Sequence, residues 1–231
     1  RQAEVLIHIV DISGSTDIQG QPVNIGTHDP REDIKFVEDE FDFWFKQILE
    51  REWPKLSKEI EKKSTKLVDG ITDRFSGLGV KEYQVHEVLQ NLDLLTKKPT
   101  EWNDSVLTKF AQMLRKKTKP MLIAANKADL CKDLDITNEL HKDRDIVNCS
   151  AETELLLKKA AKANLIDYIP GNEKFVINKN VDISTPQKEA LNLVESVLSK
   201  LNSTGIQTAL NSAIFRVLKL IVVFPVEDET R

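Results

Sequence analysis

Asn126-Lys127-Ala128-Asp129 stands directly after an apolar run that ends at Ala125. A carboxylate in that place can accept two hydrogen bonds from adjacent N–H donors on a flat base. Guanine presents such a pair, on ring N1 and on its exocyclic amino group. Each charge-assisted bond of this kind contributes about 1.5–3 kcal/mol. Adenine has no donor pair on that edge and would leave the carboxylate unpaired, so a site built this way discriminates strongly. In this reading Asp129 accepts from the base. Asn126 ties neighbouring loops together and reaches the base edge, and the aliphatic stem of Lys127 covers one face of the ring. A plain surface turn would show the same four residues, which makes the motif permissive when taken alone.

A second stretch, Asn148-Cys149-Ser150-Ala151-Glu152, follows the short run Asp145 to Asn148. Ser150 suits a helix N-cap, and the Ala151 backbone N–H is expected to be free to donate to a base oxygen. A capping serine with no ligand explains the same residue types. Two loops on successive strand ends would nevertheless form one pocket, at the edge of the sheet where α/β folds bind ligands. The candidate nucleotide-binding residues are therefore Asn126, Lys127, Asp129, Ser150, Ala151 and Glu152. No residue is assigned a catalytic or metal-binding role.

These loops need a sheet behind them. Val5 to Val10 is a continuous apolar run ending in Asp11, as expected of a parallel strand buried on both faces. Residues 12–28 are rich in Gly, Ser, Asp and Pro and read as a loop. Asp29-Pro30 opens a helix, with Glu32 and Asp33 in its first turn. Apolar residues at Ile34, Val37, Phe41 and Ile48 keep helical spacing. Trp53-Pro54 marks a break, and a second helix is expected to run through Leu56 to Phe75, stopped by Ser76-Gly77-Leu78-Gly79. Shorter helices fall near 81–93 and 104–117. Strands over 120–125 and 145–148 follow, then a helix from Glu152 to about Ala163, helices near 185–202 and 205–219, and a last strand from Ile221. Strands alternating with helices predict an α/β fold with a parallel sheet. The helical block between the first two strands reads as an insertion.

The composition agrees with a globular α/β protein. Of 231 residues, 40% are hydrophobic and 30% charged, enough for a core. The net charge of −4 argues against a protein that coats nucleic acid generally. Cys131 and Cys149 lack metal-ligand spacing and fit a reducing cytoplasm. The longest apolar stretch, Leu218 to Val226, is too short to span a bilayer. The sequence opens abruptly on Arg1-Gln2-Ala3, and a fragment is expected. Asp11-Ile12-Ser13-Gly14 matches the Asp-x-x-Gly pattern of magnesium-and-switch motifs, but so short a pattern is permissive, and Asp11 reads as a strand-end residue near the site. His8 reads as a core histidine, and Phe36, Phe41, Trp44, Phe45 and Trp53 as helix packing. The basic runs at 62–63, 97–98 and 115–119 read as solvated faces, with a ribosomal-RNA contact as the alternative.

Asn126-Lys127-Ala128-Asp129 and Ser150-Ala151-Glu152 resemble the fourth and fifth signature motifs of small GTPase domains. Further stretches narrow the likeness. They are Leu6 to Asp11 with Ser13 to Asp17; His28 to Pro30 with Glu32 to Ile34; Lys159 to Ala163 with Tyr168 to Gly171; and Ser203 to Gln207 with Val223 to Val226. Together they resemble the Obg-related YchF (Obg-like ATPase) family in its archaeal form. The resemblance implies a P-loop NTPase domain carrying an inserted α-helical hairpin, followed by a TGS domain. On this basis residues 1–28 and 118–219 form the GTPase domain, 29–117 the helical insertion, and 220–231 the start of the TGS domain. It further implies GTP and Mg²⁺ as cofactors, GTP hydrolysis by the complete protein, association with the ribosome or ribosomal RNA, and a cytoplasmic location without membrane or DNA partners. The chain departs from the family in having no Gly-x-x-x-x-Gly-Lys-Ser/Thr, so by itself it is expected to bind guanine weakly and to hydrolyse nothing. Many relatives prefer ATP; retention of Asp129 here favours GTP. An ATP-preferring hydrolase, or a non-enzymatic helical module that binds RNA or protein, are the alternatives.

Overall fold

The computed structural model describes residues 3–132 and 134–225. Among the described residues two compact units emerge, one from residues 3–6 and 31–121, the other from residues 7–30, 122–132 and 134–225.

The second unit carries a three-stranded sheet in the order β1 (Leu6–Asp11), β2 (Met121–Asn126), β3 (Asp145–Asn148). β2 and β3 pair in parallel, with Leu122 opposite Asp145 and Ala125 opposite Asn148. Leu6 N donates to Pro120 O and Ile12 N to Asn126 O, each at 3.0 Å. Both partners advance in the same sense, so β1 is also parallel to β2. The central strand is buried along Leu122 to Ala125, as a strand flanked on both sides must be. β1 differs from the expectation. Val10 is buried, but Ile7 is 38% and Ile9 68% exposed. Successive side chains alternate between faces, and only the face carrying Val10 is covered. An unbroken apolar run does not distinguish one covered face from two.

Helices α7 (Ala151–Lys162) and α8 (Thr185–Leu201) form a cluster around Leu157, Ile166, Leu191, Val194 and Leu198. Between them lies an antiparallel pair, β4 (Ile166–Asp167) and β5 (Val176–Ile177), which the sequence reading did not foresee. Neither did it foresee α6 (Asp135–Leu140). After α9 (Ile206–Asn211), residues 212–217 continue as a π-helical turn. The expected last strand does not form over residues 221–225, and its remainder lies outside the described residues. The proposed start of the TGS domain is therefore only partly within the described chain.

The first unit contains α1 (Pro30–Glu50), α2 (Trp53–Glu61), α3 (Leu67–Phe75), α4 (Glu82–Asn91) and α5 (Asp104–Thr118). The segment expected to be a hairpin is thus five helices around a core of their own. Phe45 stacks on Phe75 at 5.4 Å and Trp53 on Trp102 at 4.7 Å, contacts that favour this packing beyond area burial. The expected single helix from Leu56 to Phe75 is broken. Lys63 takes a left-handed φ of 58°, and Ser64 N and Oγ both donate to Glu59 O, at 3.1 and 2.7 Å. That geometry caps α2 before α3 begins. The basic run 115–119 is not a solvated face throughout. Arg115 is buried and pairs with Asp42 at 2.6 Å, and the buried Lys119 donates to Ala3 O at 2.6 Å.

Candidate functional site

Parallel pairing of β2 and β3 brings the two candidate loops out of the sheet side by side. Cys149 N donates to Ala125 O at 2.8 Å, and Ala128 N to Cys149 O at 3.1 Å. These bonds continue the ladder past the strand ends. Asn126 Oδ1 then accepts from the Ala151 N–H at 3.0 Å. The loop-tying role expected of Asn126 is therefore in place. The expectation that Ala151 N–H is free is not met. The first amides of a helix lack intrahelical partners, and the Asn126 amide oxygen supplies one. A base oxygen would have to share or displace that bond.

Lys127 adopts a left-handed φ of 60°, unusual for a residue with a side chain. Its Nζ donates to Asp11 Oδ2 at 2.8 Å and to Ser15 Oγ at 3.0 Å. Asp11, at the end of β1, accepts four further hydrogen bonds. Ser13 N and Ser13 Oγ reach Oδ1 at 3.1 and 2.6 Å, and Ser15 Oγ and Thr16 Oγ1 reach Oδ2 at 2.8 Å. Burial alone would raise this carboxyl, but the hydrogen bonds from Lys127, Ser13, Ser15 and Thr16 outweigh it and hold it far below the usual carboxylate range. The loop that delivers these hydroxyls turns through Gly14, whose φ is 61° and whose missing Cβ would lie 2.2 Å from His28 O. Only glycine fits there.

Asp129 sits in the turn after β2, partly buried. Among the described residues its carboxylate has no hydrogen-bond partner; its backbone oxygen accepts from Lys200 Nζ at 3.3 Å. Ser150 is buried and caps α7, accepting from Thr153 N at 3.4 Å. Its own N–H donates to Thr204 O at 2.8 Å. Thr204 is fixed in turn, Oγ1 donating to the buried Glu154 at 2.6 Å, and Tyr168 OH donates to the same oxygen at 2.8 Å. Burial, followed by the Glu154 carboxylate, pushes the Tyr168 hydroxyl above its ordinary value. Next to Thr204, Gly205 has φ 77°, and a Cβ there would meet Asn148 O at 1.9 Å. This close approach lets the 203–205 loop lie against the end of β3. Glu152 is exposed in the first turn of α7, and among the described residues no hydrogen bond joins it to the other five candidates.

The structure thus brings Asn126, Lys127, Asp129, Ser150 and Ala151 to one sheet edge. Sequence reasoning missed the supports: Asp11 as the partner of Lys127, Lys200 on the carbonyls of the Asp129 turn, and Thr204-Gly205 beneath Ser150. The run of hydroxyls at Ser13, Ser15 and Thr16 after an aspartate was a readable signal for the first. A lysine at a helix end carries none. Among the described residues no group of three or more His, Cys, Asp or Glu side chains could hold a metal, and both Asp11 oxygens are already occupied.

Residues 124–228 match the family model described as Obg-like GTPase YGR210-like, G4 motif-containing domain. That span contains both candidate loops. A curated protein from Methanocaldococcus jannaschii, described as an uncharacterized GTP-binding protein, is 36% identical over 234 residues, covering 100% of this chain and 58% of its own length. Another from Schizosaccharomyces pombe, described in the same terms, is 30% identical, covering 99% of this chain and 57% of its own. The crystal structure of a GTP binding protein from Pyrococcus horikoshii OT3 superposes with a TM-score of 0.82 at 39% identity, over 99% of this chain and 62% of the other. The chain therefore spans a little over half the length of these relatives. It is an α/β protein with a parallel sheet, similar to GTP-binding proteins along nearly all of its residues and to the Obg-like family model over residues 124–228.

Proposed function

We propose that this chain forms the base-recognition part of a guanine-nucleotide site in a protein that hydrolyses GTP. One observation carries the reading. The Asn126–Ala151 bond locks the two loops together, while among the described residues the Asp129 carboxylate, in the first of those loops, has no hydrogen-bond partner. A carboxylate spared in that way suits the adjacent N1–H and amino donors of guanine. With Nζ pinned on Asp11, the Lys127 stem is held in one course and is available to cover a ring face. The relatives, described as GTP-binding proteins, support the same ligand.

Hydrolysis requires phosphate binding, a metal and a positioned water; the six candidate residues supply none of these and are assigned to the base alone. Mg²⁺ is accordingly expected with the triphosphate and not on these side chains. Residues 29–117 are proposed as a helical insertion between 1–28 and 118–219. The YchF-type resemblance further points to a cytoplasmic protein with a ribosomal or ribosomal-RNA partner, for which Lys62, Lys63, Lys97 and Lys98 are exposed.

Titration of the ¹⁵N-labelled chain with GDP and ADP tests the base assignment. GDP is expected to move the Asp129 and Ala151 amide signals at concentrations where ADP does not. Equal responses, or none at those two amides, would refute it.

A further inference from the structure

Lys200 lies in the last turn of α8, far in sequence from both candidate loops. Its amine donates to Ala128 O and Asp129 O, each at 3.3 Å, and also to Cys131 O. Three carbonyls of the turn that carries Asp129 therefore converge on one cation. Leu130 N closes the same turn onto Lys127 O at 3.0 Å. The amine is delivered from a firm base, because Leu191, Val194 and Leu198 of α8 are buried against α7. Immediately after it, Asn202 ends the helix in a left-handed conformation with φ 63°, and Thr204 O reaches Ser150 N. The stretch from Lys200 to Gly205 thus braces both base-side loops, one by an amine and the other by a carbonyl.

We infer that Lys200 is a positioning residue that sets guanine specificity by fixing the peptide planes on either side of Asp129. The inference rests on the base assignment made above. A carboxylate recognises two donors only when its Cα and χ1 origin are held to a fraction of an ångström, and a half-exposed turn does not hold itself so closely. The Lys200 side chain does not touch the base site; it works through the backbone of residues 128–131. A lysine serving α8 alone, through its helix dipole, would affect stability without affecting base choice.

The test is a double-mutant cycle in the chain with Lys200→Met and Asp129→Asn, reading dissociation constants for GDP and IDP by NMR titration. IDP keeps the N1–H and lacks the exocyclic amino group. Lys200→Met is expected to weaken GDP about tenfold, and to weaken IDP less, since coupled neighbours interact on this scale. In the Asp129→Asn background the same substitution should change GDP affinity by less than about twofold. Lys200→Arg should restore part of the GDP preference. Equal losses for Lys200→Met in both backgrounds, or for both nucleotides, would overturn the role of Lys200 while leaving the base assignment standing. If Asp129→Asn by itself leaves GDP affinity unchanged, the base assignment fails first and this inference falls with it.

Discussion

Replacing Asp11 with asparagine tests the support beneath Lys127. The carboxylate accepts five hydrogen bonds, from Ser13 N, Ser13 Oγ, Ser15 Oγ, Thr16 Oγ1 and Lys127 Nζ. An amide offers a single oxygen, and its NH₂ would face at least one donor. The lysine side chain is 37% exposed and the aspartate 10%. Removing one partner of a buried pair costs about 3–5 kcal/mol, and water access to the lysine reduces this, so about 2–3 kcal/mol is expected here. Thermal unfolding followed by circular dichroism should show the sheet-bearing unit melting about 6–10 °C lower. The pH dependence supplies a second reading. A carboxyl depressed in the folded state stabilises fully above its ordinary value of 3.8. That contribution is lost as pH falls from there through the folded value. The gap between wild type and Asp11→Asn should therefore be constant from pH 7 to about pH 5 and narrow below pH 4. An unchanged melting temperature, or a gap independent of pH down to pH 2, would refute the reasoning.

Other substitutions probe the same frame. Gly205→Ala would place a Cβ 1.9 Å from Asn148 O at a left-handed φ; a loss of about 3 kcal/mol or more is expected in urea unfolding, with displaced Ser150 and Ala151 amide signals. Arg115→Ala strands Asp42 in the helical unit and should cost about 3 kcal/mol, while the Asp129 and Ala151 signals stay in place. The two thiols should differ, since Cys149 is buried and burial pushes its thiol up to about 12, whereas Cys131 is partly exposed. A thiol reagent at pH 8 is expected to label Cys131 quickly and Cys149 only on unfolding.

What could be read from residues alone followed from strong local signals. Asn126 to Asp129 after an apolar run, and Ser150 as a cap, placed both candidate loops, because strand ends and N-caps are written in short stretches. The supports were not legible in that way. Lys200 meets the Asp129 turn across some seventy positions of sequence, and nothing in a helix-end lysine says which carbonyls it will find. Ala151 was expected to keep a free N–H, yet the Asn126 amide takes it, a choice made by tertiary proximity. The exposure of Ile7 and Ile9 turned on which face of β1 other elements cover, which hydropathy does not encode. Where Leu56 to Phe75 was expected as one helix, local chemistry at Lys63 and Ser64 overrode a periodic pattern.

Base preference of the Asp129→Asn chain is the most direct measurement. Xanthine carries a carbonyl oxygen at the position where guanine has its amino group, and an asparagine amide can donate to it where a carboxylate repels it. Dissociation constants for GDP and XDP, taken on both chains by the same NMR titration, should therefore cross over: the wild type favouring GDP, the variant favouring XDP. GDP affinity that is the same in both chains, with no gain for XDP, would contradict the assignment of Asp129 to the base.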